Sequence, residues 1–160
     1  CQLLRWPGVV SPNTCCREPV TSTDFYPTLL EAAGLPLLPE QHCDGVSLLP
    51  LLQQTGTLDR EAIYWHYPHY APQGGTPAAS LVSGEWKLIE FFEDSALELY
   101  NLREDVSETR NLAAAYPDIV RRLHGLLKTW QAEVEAKFPE PNPDFEKQHK
   151  RPNLPNNAHV

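Results

Sequence analysis

The sequence predicts an α/β chain in two parts, the second an α+β unit in which a small antiparallel sheet packs on one helix. Three observations support this prediction. Short apolar segments separated by turn residues recur from Ala62 to Leu102. A long helical pattern follows from about Pro117 to Ala136. The polar stretch of residues 53–61 separates these elements from a shorter helical pattern upstream, which places a boundary near residue 60.

Composition bounds the class of protein. The 160 residues are 41% hydrophobic and 21% charged, which is typical of a folded chain with a core. The formal net charge of −8 argues against nucleic acid as a partner, because phosphate recognition needs a concentrated basic surface. No apolar run approaches the roughly 20 residues that a membrane-spanning helix requires. Met is absent and Cys1 comes first, so we expect the natural start to lie upstream.

The first part is predicted to hold a strand and a short helix. Residues 3–10 are apolar and end in a Pro-Gly turn, which favours a strand. Hydroxyl residues at 21–23 and the carboxylate of Asp24 suit the start of a helix, and Gly34 suits its end. Residues 48–52 are predicted to form a brief helical or irregular apolar patch. The predicted apolar face of the helix comprises Phe25, Leu29, Leu30 and Ala33.

The second part is predicted to contain four strands, over residues 62–67, 79–82, 85–92 and 97–102. Short turns join the last three, so antiparallel pairing is expected. Apolar residues on both faces of 85–92 predict a sheet that is covered on both sides. The apolar stripe of the following helix comprises Ile119, Val120, Leu123, Leu126, Leu127, Trp130 and Val134. From Pro139 onward, prolines and polar residues predict an extended tail.

The four cysteines leave three interpretations open. Cys43 is able to form a disulfide with Cys15 or Cys16 in an oxidising compartment. A metal site that also uses His42 has little support, because no CxxC pair is present. The third interpretation is that the cysteines are small, partly buried thiols without a role.

Five segments in the same order resemble the C-terminal part of formylglycine-dependent sulfatases, which have an alkaline-phosphatase-like fold. They are RWPGVV (5–10), TSTDFYPTLLEAAGLP (21–36), DGVSLLPLL (44–52), SGEWKLIEFFED (83–94) and LELYNLREDVSETRNLA (97–113). They include D-x-x-P-T from Asp24 and D-G-x-S from Asp44. The resemblance implies that residues 1–60 close a catalytic domain. It also implies that residues 61–138 form a four-stranded antiparallel sheet on one helix, with residues 139–160 as the tail.

The resemblance further implies hydrolysis of sulfuric esters, with a sulfated small molecule or glycan as substrate. Such enzymes use a formylglycine made within a C-x-P-x-R type motif, together with calcium. Cys1 stands four residues before Arg5, but Leu3 occupies the position of the required Pro or Ala. We therefore predict no catalytic residue, no metal ligand and no turnover for this chain alone. A periplasmic or extracellular location is also implied by the resemblance only.

His66 and His69 are the predicted substrate-binding residues. They lie in YWHYPHY, and the resemblance implies that this subdomain lines one wall of the substrate cleft. Imidazole donates hydrogen bonds to anionic oxygens, and aromatic faces suit sugar rings. The alternative is that Trp65 and Tyr67 belong to the core while the histidines sit on the rim. A zinc site of His42, His66 and His69 is not supported by their spacing.

The remaining polar residues suggest structural roles. Lys87 is predicted to be a rim lysine, and the charge-rich loop of residues 103–110 is predicted to be solvated. Asp105, Glu108 and Asn111 have the spacing of turn and capping groups. Two other functions stay open: a phosphatase or phosphodiesterase relative on the same scaffold, and a stand-alone carbohydrate-binding module.

Overall fold

A computed structural model describes residues 2–72 and 74–143. In chain order, a 3-10 turn at Ser22–Asp24 leads into helix α1 (Phe25–Ala32), and helix α2 (Leu49–Leu52) follows. Strands β1 (Ile63–Tyr67), β2 (Ala78–Ser83), β3 (Trp86–Phe91) and β4 (Leu97–Asn101) come next, and helix α3 (Pro117–Glu133) is last. All but the first five residues of the predicted tail (residues 139–160) lie outside the described residues.

The four strands form one antiparallel sheet in the order β1-β2-β3-β4. This arrangement confirms the predicted mixed fold with a small antiparallel sheet packed on one helix. Leu81, Leu88 and Leu99 lie side by side on the sheet and are fully buried against Leu123 and Leu127 of α3. Burial of each such side chain contributes roughly 1.5–3 kcal/mol, so these leucines fix α3 on this face.

The opposite face of the sheet is only partly covered. Ile63, Val82 and Tyr100 are buried at one end of this face. Trp65 and Tyr67, further along β1, keep 44% and 51% of their surface exposed. The predicted covering of both faces therefore holds at one end of the sheet, and an aromatic surface stays open at the other.

Two predictions for the first part are wrong. Residues 2–6 have no regular structure, and the amides of Val9 and Val10 donate to the Trp6 carbonyl in a turn instead of a strand. A strand needs a neighbouring strand to satisfy its main-chain groups, and none pairs with this segment among the described residues.

The second wrong prediction concerns the buried side of α1. Pro27 and Thr28 are buried together with Asp24, whereas Phe25 and Leu29 are 45% and 67% exposed. The end of the helix is as predicted, because Gly34 adopts a φ of +71° just after it. The position of α1 therefore depends on polar contacts and on buried Pro27, and not on the predicted apolar face.

Candidate functional site

The two family motifs of the first part form a buried polar junction. The Asp24 carboxylate is fully buried and accepts hydrogen bonds from the Thr21 amide (2.8 Å) and the Val46 amide (3.0 Å). It also forms an ion pair with Arg60 at 2.6 Å. The Thr28 hydroxyl accepts from the Leu48 amide at 2.8 Å. The D-x-x-P-T residues therefore tie α1 to the two segments that follow it, and their role is structural.

Gly45 of the second motif lies where only a glycine fits. A Cβ atom at this position would stand 2.2 Å from the Thr23 carbonyl oxygen, far inside van der Waals contact. Two residues later, the Ser47 hydroxyl accepts from the Leu49 amide at the start of α2. The D-G-x-S motif is thus explained by close backbone approach and by a local hydrogen bond.

His66 faces α3 and is held by the chain on both sides of its ring. Its Nε2 lies 2.8 Å from the Lys137 carbonyl, which only accepts, so Nε2 carries the hydrogen. Its Nδ1 then accepts from the Gln131 side-chain amide at 3.3 Å. The imidazole also contacts the rings of Phe92 and Phe138. In this conformation, one ring nitrogen of His66 contacts α3 and the other contacts the segment that follows it.

His69 lies in the loop after β1 and is exposed. Its ring meets the Tyr67 ring edge to face, with 5.5 Å between centroids. Alternation along β1 directs Trp65 and Tyr67 to the face opposite α3, so His69 lies beside the open aromatic surface. The structure therefore does not bring His66 and His69 together. The alternative that Trp65 and Tyr67 are core residues is wrong, because both are exposed.

Tyr70 anchors this loop, a role that sequence reasoning missed. Its hydroxyl donates to Glu93 at 2.5 Å, and that hydrogen bond raises the pKa of the Tyr70 phenol. The Ala71 amide also donates to the Gly75 carbonyl at 2.8 Å. The acidic residues after β3 are the feature of the sequence that indicates such an anchor, because a carboxylate accepts a hydrogen bond from a tyrosine hydroxyl. The loop that carries His69 is thus tied to the turn between β3 and β4.

Two lysine side chains near the sheet, on β3 and on α3, are engaged in ion pairs. Lys87 bonds both carboxylate oxygens of Glu108 at 2.7 Å, and Lys128 lies 2.6 Å from a Glu90 oxygen. Lys87 is 23% exposed, so it is a partly buried tie and not a free rim lysine. Neither ammonium group is available to an anion without breaking its pair.

Side chains in and next to the charge-rich loop accept hydrogen bonds from main-chain amides. Asp105 accepts from the amides of Thr109 (2.8 Å) and Arg110 (2.9 Å), and these bonds, the Arg110 amide first, lower the pKa of its carboxyl. Asn111 Oδ1 accepts from the Leu99 amide at 3.1 Å and the Ala113 amide at 2.9 Å. The predicted capping roles of Asp105 and Asn111 are confirmed, whereas Glu108 instead pairs with Lys87.

The described residues contain no group of three or more His, Cys, Asp or Glu side chains arranged to hold a metal ion. The calcium implied by the resemblance therefore has no fitting ligand set in this part of the chain, and it stays a prediction. Cys15, Cys16 and Cys43 are exposed free thiols, so the structure supports neither the disulfide interpretation nor that of partly buried thiols. Within residues 2–72 and 74–143, no helix has the length and apolar character to cross a membrane.

Comparison with known proteins identifies the family. The family model described as "N-sulphoglucosamine sulphohydrolase, C-terminal" matches residues 1–133. A sulfatase from Formosa agariphila is 33% identical over 143 residues, which cover 80% of this chain and 26% of that protein. Arylsulfatase K of Danio rerio is 33% identical over 131 residues, which cover 79% of this chain and 24% of that protein. The chain thus spans about a quarter of the length of these relatives.

Solved structures show the same fold. An enzyme in complex with its substrate D-glucosamine-2-N,6-O-disulfate has a TM-score of 0.58 and 31% identity, covering 72% of this chain and 24% of that chain. A phosphonate monoester hydrolase from Silicibacter pomeroyi has a TM-score of 0.57 at 23% identity, covering 81% and 28%, which shows a likeness of fold alone. The predicted resemblance is confirmed: this chain belongs to the sulfatase family and corresponds to the C-terminal part of its members.

Proposed function

We propose that this chain forms one wall of the substrate cleft in a sulfuric ester hydrolase that acts on sulfated glycans. The observation that carries the proposal is the open aromatic surface of Trp65 and Tyr67 beside the exposed His69. Aromatic faces suit the C–H faces of sugar rings, and an imidazole donates hydrogen bonds to sulfate or hydroxyl oxygens. The similar enzyme that has D-glucosamine-2-N,6-O-disulfate as its substrate supports a sulfated sugar as the ligand class.

The two predicted histidines take different roles in this proposal. His69 contacts the substrate directly, because its ring is exposed and the described residues give it only the edge contact with Tyr67. His66 holds β1 against α3 through Gln131 and Lys137, so it positions the loop that carries His69. Loss of either would weaken substrate binding, the first directly and the second through displacement of β1.

The bond-breaking step belongs to groups outside this chain. We propose that a formylglycine and a calcium ion, supplied by the remainder of a longer protein, carry out sulfate transfer and hydrolysis. The ammonium groups of Lys87 and Lys128 are paired with carboxylates, so they do not replace that machinery. The chain alone is therefore inactive. An exported location, periplasmic or extracellular, is proposed on family resemblance.

Sulfate release tests the enzyme class. The full-length protein is expected to release sulfate from glucosamine N-sulfate 6-sulfate, measured by ion chromatography, whereas residues 1–160 alone release none. Release of phosphate or phosphonate from matched esters without sulfate release would instead favour the rival phosphatase or phosphodiesterase class. Specific glycan binding by residues 1–160 without any activity of the full-length protein would favour the stand-alone module.

His69→Ala in the full-length protein tests the substrate wall. Because a hydrogen bond to a charged group contributes about 1.5–3 kcal/mol, we expect KM to rise about 10-fold or more while kcat changes little. His69→Gln keeps a donor and is expected to recover part of the loss. Val106→Ala, at a 79% exposed position in the charge-rich loop, is the matched control. An unchanged KM in His69→Ala would contradict the assigned contact.

A further inference from the structure

Two adjacent cysteines lie in the irregular segment that precedes α1. Cys15 and Cys16 are both exposed and both free, and the segment around them has no regular secondary structure. Cys15 Sγ donates weakly to the Cys16 carbonyl at 4.0 Å. The Glu18 amide donates to Cys16 Sγ at 3.5 Å. These weak local contacts leave both sulfur atoms open to an external ligand.

The two cysteines border a common space. A cavity of about 930 Å³ lies between residues 2–18 and α2, and both cysteines line it. Side chains of adjacent residues in an extended strand would point to opposite sides, but this segment is not a strand and both residues border one cavity. Arg5, Arg17 and Glu18 line the same space, so a negatively charged dithiolate complex would have two cationic neighbours and one anionic neighbour there.

Oxidation of the pair to a disulfide within the chain is disfavoured by geometry. Adjacent Cα atoms joined by a trans peptide stand about 3.8 Å apart. Disulfides usually span about 4.4–6.8 Å between Cα atoms, so a bridge between neighbouring residues is strained. A single atom inserted between the sulfurs relieves this constraint, because it lengthens the link by one additional bond.

We propose that Cys15 and Cys16 form a two-thiolate binding site for a soft, thiophilic metal or metalloid ion. Thiolate sulfur is the protein ligand that soft ions select. Two ligands complete the coordination of a monosubstituted trivalent arsenical, whereas structural zinc needs four. With phenylarsine oxide, two As–S bonds form, the arsenic–oxygen bonds break and one water leaves with both thiol protons. No oxidation state changes. The site does not depend on the proposed hydrolase activity.

Phenylarsine oxide is the probe for the test. The reduced chain is mixed with it, and the adduct is counted by native mass spectrometry. We expect one adduct that survives an excess of a monothiol and is removed by 2,3-dimercaptopropanol. Cys15→Ser and Cys16→Ser each leave one thiol of the pair, so apparent affinity should fall about 100-fold or more, as when one arm of a bivalent contact is lost.

Cys43→Ser is the matched control, because Cys43 is also an exposed free thiol but does not line the cavity. It should bind as the wild type does, and so should Cys1→Ser. Circular dichroism of every variant checks that the fold is retained. Three results would overturn the proposal: no adduct on the wild type, wild-type binding by Cys15→Ser or Cys16→Ser, or lost binding in Cys43→Ser or Cys1→Ser.

Discussion

At the scale of single residues, the polar members of the family motifs mainly hold the backbone in place. Asp24 joins α1, the turn at Val46 and Arg60, and Asn111 joins β4 to the chain before α3. Each is an acceptor placed among main-chain donors, and buried donors without partners are costly. These polar residues of the family motifs are therefore explained by their hydrogen bonds to the main chain more than by a reaction with a substrate.

Asp24→Asn tests the buried junction. The Arg60 and Asp24 side chains are 11% and 0% exposed, so the mutation leaves a guanidinium beside a neutral amide in a buried place. Breaking a buried pair in this way costs about 3–5 kcal/mol, which urea unfolding should detect as a lower midpoint. Asp118→Asn is the control, because its pair with Arg121 is almost fully exposed and should contribute little. Equal stability of the two variants would refute the junction.

The raised pKa of Tyr100 predicts a loss of stability at alkaline pH. Burial, then the hydrogen bond to Glu98 and the surrounding carboxylates, raise the pKa of Tyr100 from 10.0 to about 12. Because the folded chain holds this proton more tightly, the contribution is full below pH 10 and is lost as the pH rises through about 12. Urea unfolding at several alkaline pH values should show a smaller decline for Tyr100→Phe. An identical decline in the two proteins would contradict this assignment.

At the scale of elements, the two faces of the sheet are covered to different extents. The α3 face is sealed by leucines and by polar pairs such as Glu90 with Lys128. The other face is covered near Tyr100 and open at Trp65 and Tyr67. Trp65 and Tyr67 of β1 therefore stay exposed, which is the basis of the proposed sugar contact.

Replacement of two glycines by alanine is expected to have opposite effects on stability. Gly45→Ala forces a Cβ against the Thr23 carbonyl, so we expect destabilisation of about 1–3 kcal/mol. Gly125→Ala lies within α3 with no atom near the new Cβ, so helix propensity should stabilise the chain by about 0.5–1 kcal/mol. Thermal unfolding of both variants measures the contrast. A neutral or stabilising Gly45→Ala would show that the turn relaxes easily.

At the scale of the whole molecule, stability is expected to be uneven. The sheet and α3 share a buried core, whereas residues 2–20 have mostly exposed side chains and no regular structure. Amide hydrogen exchange should therefore be slowest in β2 and β3 and fastest in residues 2–20. Equal protection of both regions would show that the first segment is packed more firmly than its exposure indicates.

Much of the second part was predictable because its signals are local. Alternation and turn residues located the strands, and apolar spacing located α3 even though the helix ends at Glu133, before the predicted Ala136. The capping roles of Asp105 and Asn111 followed from residue type and spacing. The sequence identifies His69 as a candidate, but it does not predict that His69 lies apart from His66. Alternation along a strand does not say which face of the sheet the helix covers.

The amino-acid sequence alone is enough to predict the order of the elements, the antiparallel hairpins and membership of the family, since these depend on neighbours along the chain. The tertiary structure was needed to show that residues 3–10 pair with no strand in the described part of the chain. It also shows that Asp24 and Thr28 are buried at α1 instead of Phe25 and Leu29, and that Trp65 stays exposed. Which side of an element is buried depends on partners distant in sequence. Periodicity shows that a face exists, whereas contacts across space determine what covers it.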